Sequence, residues 1–211
     1  MEQAESAPIL IGLTGPYCAG KNYVAKLLEQ RGIPVLDVDK LGHLALEQEK
    51  DGLIARFGTD ILTAQGTVNR KVLGDRVFGN PEALANLEAI VHPRANRMTE
   101  EWISSHGERM LVINAALLHR SVLFGRLQAV IVVQAGFLTR LIRAKRRDHL
   151  PLVTLLQRFR SQKQFKAQYF QGNADIYIVK NRGILGLCAQ WHRHQLEHRL
   201  DKILRWEGMV H

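Results

Sequence analysis

Apolar positions along this chain fall into two recurring rhythms. Short unbroken runs occur at Ile9 to Thr14 after Pro8, Ile33 to Asp39, Met110 to Ala115, Ala129 to Gln134 and Ala174 to Val179. Runs of this length, rich in Ile, Leu and Val, suit strands of a parallel sheet covered on both faces. Between them a spacing of three and four takes over. Val24, Ala25, Leu27 and Leu28 alternate with Lys26, Glu29 and Gln30, and Gly32 stops that helix. A second helix is expected from Lys40 to Gln48, and short helical pieces flank the turn Thr63 to Thr67 within residues 51–78. Asn80-Pro81-Glu82 is a helix start, and the helix it opens meets His92-Pro93, where the missing N–H and a clash with the Ala89 carbonyl predict a kink. Leu117 to Phe124 is amphipathic, Phe137 to Arg147 and Leu152 to Phe170 read as two basic helices, and Ile184 to Trp206 as a covering helix. Strands alternating with helices predict an α/β architecture with a five-stranded parallel sheet.

Composition narrows this picture. The chain has 211 residues, 46% hydrophobic and 23% charged, which is ample for one domain with its own core. No apolar run approaches the roughly 20 residues that cross a membrane, and the opening MEQAESAP lacks the basic start of a secretory signal. Two cysteines, Cys18 and Cys188, lie far apart, so a cytoplasmic location without a structural disulfide is expected. The net charge of +9 is concentrated: nine Lys/Arg stand between Arg140 and Lys166 against one acid, Asp148. Only Phe159 and Phe165 interleave that stretch, so a polyphosphate ligand is favoured over nucleic acid.

Candidate chemistry sits first at the junction of the opening run with the first helix. Gly15-Pro16-Tyr17-Cys18-Ala19-Gly20-Lys21-Asn22 has the spacing G-x-x-x-x-G-K-N. Glycines let backbone N–H groups converge, the helix N-terminus adds positive charge, and a lysine there reaches outer phosphates. The usual last residue is Ser or Thr, whose hydroxyl holds Mg²⁺; Asn22 offers an amide oxygen instead. Asp37 and Asp39 end the second run at i and i+2, which on a strand would face the same way. Such carboxylates suit a proton acceptor or a water-mediated metal contact, or alternatively a polar strand end with Asp39 capping the next helix. No acid ends the third run, which puts more weight on Asp37 and Asp39; Asn22 and Asp37 are the candidate metal ligands. His92 stands beside the expected kink as a ligand contact or a structural histidine. The two basic helices suit a lid closing guanidinium groups over phosphates, or a solvated hairpin. His192, His194 and His198 on the last helix read as a solvated face rather than a metal site, for want of a third ligand.

Taken in order, these motifs resemble dephospho-CoA kinases, nucleotide-kinase-type enzymes with a phosphate loop (P-loop). The resemblance covers about Ile9 to Gly183. It rests on IGLTG with its GK loop, VLDVD, Phe57-Gly58 with Gly66 and Arg70, VFGNPEALANLEAIVHP, RRD and the NRG turn. It implies a three-layer α/β/α P-loop kinase fold. The core spans about residues 8–50, 108–136 and 172–211, a helical acceptor-binding region about 51–107 and a basic helical lid about 137–170, all within one domain. It implies ATP with Mg²⁺ as cofactors and phosphorylation of the ribose 3′-hydroxyl of dephospho-CoA. Gly15, Pro16, Tyr17, Cys18, Ala19, Gly20, Lys21, Asn22 and Tyr23 would line the ATP site with Arg147, Asn181 and Gly183. Asp39 matches the base, with Lys21 and Arg147 on the phosphates, while His92 and Leu117 fall on the acceptor side. Neither nucleic acid nor membrane partners are implied, and a monomer or weak homo-oligomer is expected.

The chain departs from the family pattern in three places. Asn22 replaces the hydroxyl residue, Pro16 to Ala19 are bulkier than a Gly/Ser-rich loop, and Ala116-Leu117-Leu118-His119-Arg120 carries an arginine where an acid is usual. Two alternatives therefore stay open from the residues alone. One is a kinase for another small hydroxyl acceptor, and the other is a nucleotide- or RNA-binding P-loop protein without turnover.

Overall fold

The structure, a computed structural model, describes residues 7–161, 174–182 and 189–206. Elements follow in the order β1 (Ile9–Thr14), α1 (Lys21–Glu29), β2 (Val35–Asp37), α2 (Val38–Gln48), α3 (Lys50–Phe57), α4 (Arg70–Val77), α5 (Pro81–Ser104), β3 (Met110–Asn114), β4 (Ala129–Gln134), α6 (Phe137–Asp148), α7 (Leu152–Ser161), β5 (Asp175–Lys180) and α8 (Ala189–Trp206). The chain forms two compact units, Met1–Val35 with Gly107–His211, and Leu36–His106.

The five strands lie in the order β2-β3-β1-β4-β5. β1 pairs in parallel with both β3 and β4, and β4 with β5. The Pro34 carbonyl, just before β2, accepts from the Val112 N–H at 2.9 Å. The expected parallel α/β sheet is therefore observed. The first unit's core explains why the runs are unbroken. Val24, Ala25, Leu27 and Leu28 of α1, with Leu196, Leu200, Ile203 and Leu204 of α8, pack on Ile11, Leu13, Ile131, Val133 and Val179. Each fully buried aliphatic side chain contributes about 1.5–3 kcal/mol. On β1, a Cβ at Gly12 would press on the side-chain ends of Leu118 and, at 2.9 Å, Leu127, so glycine lets the segment after β3 pack this close without their shifting.

One expectation changes here. Val38 and Asp39 do not extend the second strand: β2 stops at Asp37, which caps α2 by accepting from the Lys40 N–H at 3.2 Å. In the amphipathic stretch after β3, 3₁₀ turns occupy Leu118–Arg120 and Phe124–Arg126.

The second unit buries Ala45, Leu53, Ile61, Val68, Leu73, Val77 and Val91 among its helices. Asn69 and Asn80 cap α4 and α5 through bonds from the Val72 and Ala83 N–H groups. α5 continues through Pro93 to Ser104 as one helix. The seventh helix is described to Ser161, so the expected extension to Phe170 lies outside the described residues, as does Cys188.

Candidate active site

The glycine loop is shaped by three backbone requirements. A Cβ at Gly15 would lie 2.6 Å from the Val133 carbonyl oxygen, so the loop leaves β1 pressed against β4. Cys18 (φ 60°) and Gly20 (φ 95°) both take the left-handed conformation, which favours glycine and is uncommon for cysteine. The Ala19 N–H closes back on the Pro16 carbonyl at 2.9 Å. α1 then starts at Lys21 with no side-chain cap at Gly20, so its N-terminus, with the positive end of its dipole, opens on the loop. Lys21 is half-buried, and Asn22 and Tyr23 are exposed.

The loop's outer carbonyls are held from behind. Arg140 Nε donates to the Tyr17 carbonyl at 2.8 Å, and Arg143 to the Ala19 and Cys18 carbonyls at 2.9 and 3.4 Å. Asn181 Nδ2 donates to the Ala19 carbonyl at 3.0 Å, while its Oδ1 accepts from Arg143 at 3.1 Å. Because N–H and C=O point opposite ways across a trans peptide, carbonyls fixed outward turn the Cys18 and Gly20 N–H groups to the other side. Asn181 is itself buried and anchored by its N–H to the Gln134 carbonyl at 2.7 Å. A side chain at Gly20 would collide with the Asn181 amide. Sequence reading placed Asn181 on the ligand side and missed Arg140 and Arg143; their only signal was a shared face of a basic helix. Gly183, from the same turn, lies outside the described residues.

Charge at the loop is dense and partly buried. Burial raises the Cys18 thiol pKa above its ordinary value, against the downward pull of Arg147, Arg140, Arg143 and Arg158. Burial also lowers the pKa of Arg140 and Arg143, groups so basic that both remain cations. Arg147 donates from Nε to Asp148 at 2.7 Å and stacks 5.0 Å from the centre of the ring of Tyr17, a residue of the loop.

At the end of β3 stands Asn114, buried, with Oδ1 lacking any hydrogen-bond partner among the described residues. Sequence reading passed over it because it is not an acid. A buried amide oxygen left unpaired is costly, and an outside donor or cation satisfies it. Leu117 is exposed just beyond this strand end, and nothing is described of the Arg120 side chain.

The remaining candidates belong to the second unit. Asp37 and Asp39 do not share a strand face: Asp37 is the cap of α2 and Asp39 lies exposed in its first turn. The cap is thus Asp37, where sequence reading considered Asp39. Carboxylates in the first helical turn are stabilised by the helix dipole, which is why this acid pair starts a helix instead of ending a strand. His92 is exposed on α5. Among the described residues no group of three or more His, Cys, Asp or Glu could hold a metal ion. A cavity of about 660 Å³ between β5 and α8 is lined by residues such as Lys180, His192 and Lys202 but by none of the glycine loop. No described helix is long and apolar enough to cross a membrane.

The family model described as "Dephospho-CoA kinase" matches residues 9–185. A dephospho-CoA kinase of Treponema denticola is 34% identical over 188 residues, 84% of each chain. The crystal structure of TT1252 from Thermus thermophilus superposes with a TM-score of 0.83 at 30% identity, over 97% of this chain and all of that one. In fold, the chain is also similar to a dephospho-CoA kinase from Campylobacter jejuni, with a TM-score of 0.62 at 23% identity over 94% and 98% of the two chains.

Proposed function

The chain belongs to the dephospho-CoA kinase family, and from that premise we propose that it transfers the γ-phosphoryl group of ATP to the ribose 3′-hydroxyl of dephospho-CoA, the last step of coenzyme A synthesis. The observation that carries the reading is the glycine loop whose carbonyls are clamped outward by Arg140, Arg143 and Asn181. A loop built this way meets phosphate with preset amides, and phosphoryl transfer depends mainly on positioning and charge neutralisation.

The loop from Gly15 to Tyr23 binds the ATP phosphates, Lys21 neutralises the outer ones, and Arg147 covers them. Asn181 acts from behind the loop. Asp39 orients the 3′-hydroxyl and takes its proton as the new P–O bond forms, ADP leaving with the electron pair of the broken bond. Asp37, committed to capping α2, supports the turn that carries Asp39. His92 and Leu117, both exposed, serve the acceptor.

Mg²⁺ fits this residue set as an ion held mainly by phosphate oxygens and water. The unpartnered Asn114 Oδ1 and the exposed Asn22 amide are the oxygen donors of the first unit that would hold it, directly or through water. When bound, the ion offsets charge on the transferring group.

The test is ATP consumption by purified protein with Mg²⁺ against dephospho-CoA, adenosine, AMP, shikimate and no acceptor. Selective formation of coenzyme A is expected. Equal ATP consumption with and without dephospho-CoA, or preference for another acceptor, rejects the substrate assignment.

A further inference from the structure

Resting on that reading of the loop and lid as the ATP site, we propose that Tyr17 is a positioning residue that presets Arg147 and Arg158 against the phosphate loop through Asp148. Tyr17 reaches the lid in three ways. Its carbonyl accepts from Arg140, its hydroxyl donates to Asp148 Oδ2, and its ring packs edge-on against Phe159 with centroids 5.4 Å apart. Asp148 is largely buried, with 16% of its side chain exposed, and gathers the surrounding cations. Its Oδ1 accepts from Arg147 Nε at 2.7 Å, and its Oδ2 from Arg147 at 3.2 Å and Arg158 at 3.4 Å. Both guanidinium groups also stack on the Tyr17 ring, at 5.0 and 5.9 Å from its centroid. Each arginine is therefore fixed by the carboxylate and by the aromatic face, and Arg158 a third time by its 3.4 Å bond to the Tyr17 hydroxyl.

The arrangement answers a problem that the sequence creates. Asp148 is the one acid between Arg140 and Lys166, so these cations repel one another in its absence. A carboxylate alone would hold them wherever the lid lay. The tyrosine hydroxyl ties that carboxylate to the loop, and the ring supplies a second surface. An arginine already held near its working position loses less rotamer freedom when phosphate arrives, which strengthens ATP binding without adding a contact.

Equilibrium titration with ATP and Mg²⁺ reads this without turnover, so failure of the acceptor assignment leaves the test intact. Tyr17→Phe deletes only the hydroxyl and is expected to weaken ATP binding about 3- to 10-fold, the range of one intramolecular hydrogen bond. Tyr17→Leu also removes the stacking face and weakens it further. Asp148→Asn weakens binding in the same direction, and adding Tyr17→Phe to it costs less than Tyr17→Phe alone, because both changes act on the Tyr17–Asp148 contact and only the Arg158 bond to the Tyr17 hydroxyl is lost separately. In turnover assays Tyr17→Phe raises KM for ATP and leaves KM for dephospho-CoA unchanged. Thermal midpoints without nucleotide identify any variant that is misfolded. ATP affinity unchanged in both folded Tyr17 variants overturns the proposal. So does tighter ATP binding by Asp148→Asn, the sign expected if Asp148 only competes with phosphate for the arginines.

Discussion

The glycine loop and the acid pair solve different problems with different means. In the first unit, the carbonyls of Tyr17, Cys18 and Ala19 are each held by a guanidinium group, that of Ala19 also by the Asn181 amide. In the second unit, Asp37 makes a single helix cap, and Asp39 rides exposed on the first turn it starts. A phosphate chain always presents the same charge and oxygen spacing, so the cheapest receptor is backbone fixed in advance. A proton acceptor needs one oxygen in reach of one hydroxyl, and a side chain on a helix end is enough. Damage to the loop should therefore show in ATP affinity, and damage to the acid in turnover.

The largest effect belongs to the acid. Asp39→Asn keeps shape and removes the proposed proton acceptor, so kcat is expected to fall by about 10²- to 10⁴-fold. ATP affinity, measured by titration, should stay within about twofold, since the loop's contacts are backbone and cationic. Retention of more than about a tenth of wild-type kcat, a loss under ~1.4 kcal/mol, would refute the assignment.

Behind the loop, Arg143→Ala removes donors to the Ala19 and Cys18 carbonyls and to Asn181 together. Bonds from a charged donor are worth about 1.5–3 kcal/mol each in favourable settings, and half-exposure discounts this. ATP binding should weaken about 10- to 100-fold, with kcat at saturating ATP much less affected. Asn181→Ala leaves Arg143 in place and should fall between Arg143→Ala and wild type. A kcat loss without an affinity loss would erase the contrast between the two regions.

What was legible in the sequence follows the range of the forces involved. The buried runs of β1, β3 and β4 read directly, because a strand covered on both faces has to be apolar throughout, while β5, at the sheet edge, buries only Val179. VLDVD read as one strand because alternation fits a strand, yet Asp37 and Asp39 are also a helix cap and a first-turn acid, and those local signals prevailed. The GK loop was visible as spacing. Its clamps were not: Arg140 and Arg143 reach Tyr17 and Ala19 across more than 120 residues of chain, and periodicity carries no record of such contacts. Asn114 was hidden differently. It ends an apolar run as any polar residue might, and only burial exposes its oxygen as unpartnered.

The smallest effect tests the electrostatics of the loop itself. Cys18 lies among four guanidinium groups that favour its thiolate, yet burial outweighs them and its pKa is raised. The folded protein thus holds the thiol proton more tightly than the unfolded chain does. The stability this group contributes is complete below the unfolded thiol value, about 8.5, and is lost as pH rises past that value through the folded one. In a Cys188→Ser background, the rate of Cys18 alkylation by iodoacetamide should therefore rise with pH around a midpoint above that of the urea-unfolded chain. The midpoint is the informative quantity, because burial also slows the reaction at every pH, and steric hindrance moves the plateau without moving the midpoint. A folded midpoint below the unfolded one would mean that the arginines outweigh burial. The loop would then be a thiolate-stabilising site, and its cations less occupied with the carbonyls than the structure has them.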